Sequence, residues 1–95
     1  MNKYSLDFDK KALKDLLSLD KSVRNFILDE LEIFIKFFDE TYEKELIKLT
    51  KIKALQGEYK GLYRLRLRTY RLIYEKQNDK LVILVLRVSH RKDIY

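Results

Sequence analysis

At Gly57 the spacing of apolar residues in this 95-residue chain changes from three or four to two, a switch that divides it into a helical first half and a stranded second half. Upstream, Val23, Phe26, Ile27, Leu31, Phe34, Ile35 and Phe38 recur at helical spacing, so a long amphipathic helix is expected to start at the caps Asp20 and Ser22 and run to about Phe38. Asp9 can cap an earlier helix carrying Ala12, Leu13, Leu16 and Leu17. Tyr42, Leu46, Leu49, Ile52 and Leu55 predict a third, weaker helix within residues 39–56.

Downstream, Tyr63, Leu65 and Leu67 alternate with Arg64, Arg66 and Arg68, which places the three arginines on one face of a strand. After a turn at Thr69, Tyr70, Leu72 and Tyr74 alternate with Arg71, Ile73 and Glu75. A polar turn over residues 77–80 leads to an apolar run that continues to Val88 and predicts a central strand covered on both faces. Tyr4, Leu6 and Phe8 predict an opening strand. The expected fold class is α+β, one domain over residues 1–95 in the order β-α-α-(α)-β-β-β. Its antiparallel four-stranded sheet carries an N-terminal helical hairpin on one face, and the other face is left to arginines and tyrosines. Tyr63, Tyr70 and Tyr74 are expected to bury their rings in the sheet. Phe26, Phe34 and Phe38 should be core, and Phe37, one step off the stripe, should be open to a partner.

An apolar content of 46% supports one modest core. The chain has no cysteine and His90 is its only histidine, so neither a disulfide framework nor a zinc centre of the usual kind can be assembled, and no metal or cofactor is expected. The longest strictly apolar run, residues 81–86, falls far short of the roughly 20 residues of a membrane helix. The N-terminus lacks the apolar core of a signal peptide, so a cytoplasmic protein is expected.

The net charge of +6 is concentrated. Residues 1–56 hold eleven basic and eleven acidic side chains, whereas the remainder holds ten basic and four acidic, including six of the seven arginines. Arginine presents a planar fork of donors that fits phosphate oxygens, so this half of the chain points to a polyanion. The chain then finishes Ser89-His90-Arg91-Lys92-Asp93-Ile94-Tyr95. Cleaving RNA without a metal needs a proton acceptor, charge stabilisation at phosphorus and a proton donor, and histidine, arginine and tyrosine can supply them.

These segments resemble a known family. Residues 57–75, the strand over residues 81–88 and the ending Ser89-His90-Arg91-Lys92-Asp93-Ile94-Tyr95 look like RelE toxins of the RelE/ParE superfamily. The likeness spans the chain, is most specific in Tyr70-Arg71-Leu72-Ile73-Tyr74 and in the ending, and is weakest over residues 39–56. The resemblance implies a type II toxin that cuts mRNA in the ribosomal A site without a metal. It also implies a RelB-like cognate antitoxin, with operator DNA contacted only through the antitoxin complex.

By position, the resemblance puts Arg71 and Arg91 at the scissile phosphate and Tyr95 where the substrate is stacked or oriented. Arg64 and Arg66 stand where the best-known relatives carry lysines. A guanidinium is a poor proton acceptor, so phosphate binding is their expected role, shared with Arg68 and Lys92. His90 is the acid–base candidate, since a histidine with an ordinary pKa near ~6.5 exchanges protons at neutral pH. Two other classes compete: a ParE-type inhibitor of DNA gyrase that cleaves nothing, and a non-catalytic basic RNA-binding module.

Overall fold

The computed structural model describes residues 3–90. Its elements run β1 (Ser5–Phe8), α1 (Lys10–Leu17), α2 (Lys21–Phe37), α3 (Glu40–Lys48), β2 (Ile52–Ala54), a short 3-10 turn (Gly57–Tyr59), β3 (Leu62–Leu67), β4 (Tyr70–Gln77) and β5 (Val82–His90). Asp9 and Asp39 cap α1 and α3 by accepting from the backbone N–H groups of Lys11 (3.0 Å) and Tyr42 (2.7 Å), which satisfies donors that a helix start leaves orphaned. Among the described residues no helix is long and apolar enough to cross a membrane.

The α+β class is as expected, but the sheet differs from the four antiparallel strands expected. Among the described residues it has five strands in the order β1-β5-β4-β3-β2, and β1 runs parallel to β5 with Ser5 opposite Val82 and Phe8 opposite Val85. The central strand is therefore β4, with β5 one place out. The extra strand comes from the 39–56 segment. Helix α3 stops at Lys48, and Thr50 adopts a left-handed φ of 61° while Lys51 N–H donates to the Leu46 carbonyl and Thr50 N–H to Ile47. These are the two bonds of a Schellman stop. The reversed chain then lays Ile52, 1% exposed, opposite Leu65.

The expected helical hairpin is also replaced. Helix α1 approaches β5 and α3 approaches β2, each against the sheet. The reason lies in α1, where only Ala12 and Leu16 are buried and Leu13 and Leu17 are exposed. A helix with so small an inward residue can settle closely on a strand, and it has little apolar width left for a second helix.

One face of the sheet receives all three helices. Leu65, Leu67, Leu72, Tyr74, Ile83, Val85 and Val88 form a single cluster with Ala12, Leu16, Ile27, Leu31, Phe34 and Phe38, each large side chain contributing about 1.5–3 kcal/mol on burial. Phe34 and Phe38 are core as expected, Phe26 is only half-buried, and Phe37 is exposed. Between Ile73 and Tyr74 the β4–β5 register slips by one residue at Leu86, a bulge that keeps both Val85 and Val88 on the core side.

One acid lies within this core. Glu43 of α3, 4% exposed, accepts hydrogen bonds from the Tyr74 hydroxyl (2.7 Å) and the Lys76 ammonium (2.6 Å). Burial and the Glu43 carboxylate push the Tyr74 phenol well above its ordinary range. For Lys76, burial acts downward, but the bond and the charge of Glu43 outweigh it and the ammonium is raised. The three groups tie α3 to the centre of the sheet.

Candidate active site

The strand pattern carries the basic side chains to the face opposite the helices. Arg64 and Arg66 alternate with the buried Leu65 and Leu67 on β3, and Arg71 alternates with the buried Leu72 on β4. In register, Arg66 stands opposite Arg71, and Arg71 opposite Ser89 of β5. One step along, Lys53 stands opposite Arg64, Arg64 opposite Ile73, and Ile73 opposite Arg87. Ile73 is 4% exposed but lies outside the main core cluster, in keeping with cover from the aliphatic stems of flanking arginines.

The face is polarised along the strands. At the end nearest the β3–β4 turn are Arg66, Arg71 and Ser89, while Glu75, joined to Gln77 at 2.8 Å, lies towards the other end opposite Leu62 and Leu84. Like charges placed opposite each other in a sheet destabilise it. The pattern occurs twice on this face, at Lys53–Arg64 and at Arg66–Arg71.

Two contacts orient these cations. The Arg64 guanidinium donates to the Thr50 carbonyl at 3.2 Å, fixing it beside the end of α3. The Arg87 guanidinium meets Asp15 of α1 at 2.9 and 3.1 Å, and the same carboxylate accepts the Val88 backbone N–H at 2.9 Å. Burial would raise the Asp15 carboxyl, but the bonds from Arg87 and Val88 and the charge of Arg87 together hold it below its ordinary value. The β1–β5 ladder ends at Asp9 N–H to Val85. Asp15 thus takes over one edge group of β5 where β1 has turned away.

Two predicted site residues are positioned differently from the row. Arg68 does not extend the line of Arg64 and Arg66, because β3 ends at Leu67 and Arg68 adopts a φ of 57° in the two-residue turn. Its guanidinium lies over the Phe26 ring at 4.1 Å. His90 shares a register position with Tyr70, on the helix side, and meets that ring edge-on at 5.2 Å. It therefore sits at the same end of the sheet as Arg71 but on the opposite face. Arg91, Lys92 and Tyr95 lie outside the described residues. Tyr63 and Tyr74 stack at 5.3 Å on the helix side, so Tyr63, Tyr70 and Tyr74 do not share the arginine face.

Sequence reasoning missed Lys53 and Asp15. The strand that carries Lys53 is three residues long, too short to show a period, and nothing in Asp15 signals a partner on β5.

Comparison with known proteins supplies the context for this geometry. The family model described as "ParE toxin of type II toxin-antitoxin system, parDE" matches residues 6–95. The mRNA interferase toxin RelE of Escherichia coli K12 is 33% identical over 89 residues, covering 94% of this chain and 84% of that protein. The toxin–antitoxin complex RelBE2 of Mycobacterium tuberculosis contains a chain with 30% identity and a TM-score of 0.69, covering 93% of this chain and 98% of that one. A chain of the archaeal RelE–RelB complex from Pyrococcus horikoshii gives 26% identity and a TM-score of 0.69, covering 99% and 100%.

Proposed function

Given that this chain belongs to the ParE toxin family of type II toxin–antitoxin systems, we propose that it is a RelE-type toxin acting as an mRNA interferase, and that RNA is bound on the arginine face of the sheet. The observation that carries this reading is the Arg66–Arg71 pair beside Ser89, flanked by Arg64 and Lys53. Such a row can follow a phosphodiester backbone and concentrate positive charge at one phosphate.

In the proposed reaction the 2′-hydroxyl attacks the adjacent phosphorus, the bond to the 5′-oxygen of the next nucleotide breaks, and a 2′,3′-cyclic phosphate is left. The attacking hydroxyl loses a proton and the departing oxygen gains one. Arg71 stabilises the charge that builds on the equatorial oxygens, with Arg66 and Arg64 holding neighbouring phosphates. Arg91 is proposed as a second charge stabiliser and Tyr95 as the group that orients the substrate. His90 is proposed as the proton donor or acceptor, reached by RNA that crosses the sheet end occupied by both Ser89 and His90. The ribosomal A site is the proposed setting, and no metal or cofactor takes part. A RelB-like antitoxin is the proposed partner, by analogy with the RelBE2 and RelE–RelB complexes.

The test is cleavage of a defined mRNA by the purified chain with and without programmed ribosomes. Cuts that require the ribosome and vanish in Arg71→Ala support the reading; no cuts in either setting would refute it. The family's ParE description favours one alternative, inhibition of DNA gyrase. A supercoiling assay separates the two, since a gyrase inhibitor blocks supercoiling and leaves mRNA intact.

A further inference from the structure

The β3–β4 turn separates the arginine face from a cavity that the proposed reaction leaves unused. This cavity, about 320 Å³, is lined by Ser22, Val23 and Phe26 of α2 and by Arg68, Thr69 and Tyr70 of the turn. We propose that it is a nucleobase pocket, in which one unstacked base of the bound RNA lies against the Arg68 guanidinium. The inference rests on the RNA-cleaving reading and deepens it, because it names where sequence preference is set.

Four observations converge on that occupant. First, the volume is at the small end of ligand sites, which suits a single ring system better than a larger molecule. Second, the walls combine flat and polar groups. Arg68 lies over Phe26 at 4.1 Å and is itself exposed, and the half-buried Tyr70 also lines the cavity. Single-stranded RNA is read by stacking bases on aromatic rings or guanidinium planes and by hydrogen bonds to their edges. The hydroxyls of Ser22 and Thr69 supply both donors and acceptors for such edges.

Third, Arg68 occupies the first position of a two-residue hairpin turn with a φ of 57°, a conformation for which glycine is the usual choice. The chain places a long cation there in spite of its backbone cost. Fourth, the pocket adjoins the proposed site. Tyr70 is the neighbour in sequence of Arg71, whose side lies with the arginine row, and it holds His90 edge-on at 5.2 Å. A backbone lying on Arg66 and Arg71 can thus turn one base over the hairpin towards Tyr70.

The first test does not depend on cleavage. The full chain, isotopically labelled, is titrated with each of the four ribonucleoside 5′-monophosphates and, separately, with inorganic phosphate, while backbone amide resonances are followed. Nucleotides should move the resonances of Ser22, Val23, Phe26, Thr69 and Tyr70, which phosphate alone leaves in place, and should differ from one another in affinity. Arg68→Gly suits the turn backbone and keeps the chain folded, and it should weaken the nucleotide affinity about tenfold, the loss of one stacking partner. Phe26→Ala should act in the same direction.

Shifts confined to the Arg64, Arg66 and Arg71 face, or equal shifts from phosphate alone, would overturn the pocket. A second test compares mRNA cleavage across a set of codons. Arg68→Gly should flatten the base preference of the wild type, whereas Arg71→Ala should lower all codons alike. Wild-type cutting with an unchanged preference in Arg68→Gly also overturns the pocket. Absence of cutting by the wild type counts against the nuclease reading, and the titration then decides the pocket by itself.

Discussion

Arg66 and Arg71 stand directly opposite one another across the β3–β4 ladder, with Ser89 as the third member of the row. Like charges at one register position favour a sheet less than an opposite-charge pair, and in the proposed reading the two guanidinium groups serve to hold a phosphate.

The pair should therefore separate stability from activity. Arg71→Ala is expected to lower ribosome-dependent mRNA cleavage by about 10²- to 10³-fold, as removal of a charge-stabilising donor does elsewhere. Its unfolding free energy should stay within about 0.5 kcal/mol of the wild type or rise slightly. Single-turnover cleavage and urea denaturation measure the two quantities. Arg71→Lys should restore little, because an ammonium cannot reproduce a bidentate fork.

Glu43 presents the opposite case. Glu43→Ala leaves the Tyr74 hydroxyl and the Lys76 ammonium in the protein interior without the carboxylate they share. The expected loss is about 3–5 kcal/mol, a large part of a small domain's stability. Tyr74→Phe removes one bond only and should cost about 1 kcal/mol. A Glu43→Ala chain that melts like the wild type would show that α3 is held by other contacts.

Asp15 should give stability a dependence on pH. Its folded carboxyl lies below the ordinary value of 3.8, so the stabilisation is fully present above about pH 4 and is lost as pH falls through the lower folded value. Asp15→Asn should cost about 1–2 kcal/mol at pH 7, from the bonds to Arg87 and Val88. The gap between variant and wild type should close in strong acid. Denaturation curves from pH 7 to pH 2 test the sign, and a gap that widens on acidification would contradict it.

His90 and the tail beyond it call for separate variants. If His90 transfers a proton, His90→Gln should lower cleavage by about 10²-fold and flatten the pH–rate profile near neutrality. An unchanged profile would leave it as a packing partner of Tyr70. The double variant Arg91→Ala, Tyr95→Phe should abolish cleavage with the fold retained, checked by circular dichroism and by the same codon series.

Much of this was legible in the sequence where a repeat was long enough to show itself. The helix from Lys21 to Phe37 and the strands β3 and β4 follow their apolar periods, and the arginine row follows from the same alternation. The five-stranded mixed sheet was not legible, because the parallel pairing of β1 with β5 depends on partners at opposite ends of the chain. Ile52 continued a helical spacing and became a strand because Thr50 reverses the backbone, a position where glycine would have given the signal. Arg68 was misplaced for a related reason: alternation holds only while the strand lasts, and β3 stops one residue earlier. The side of the sheet taken by His90 depended on the bulge at Leu86, which shifts the register by one and which no composition rule announces.

The parallel seam between β1 and β5 also governs when the molecule can exist. Ser5 finds its hydrogen-bonding neighbourhood only at Leu81 and Val82, so during synthesis the first strand waits, unpaired, until nearly the whole described chain has been made. Arg71 gains its Ser89 neighbour at the same late moment. Closing so distant a contact is slow compared with forming the local helices. Folding and arming thus coincide: a partly synthesised chain has its helices and even its arginine-bearing hairpin, but it lacks the strand that completes both the core and the proposed cutting surface.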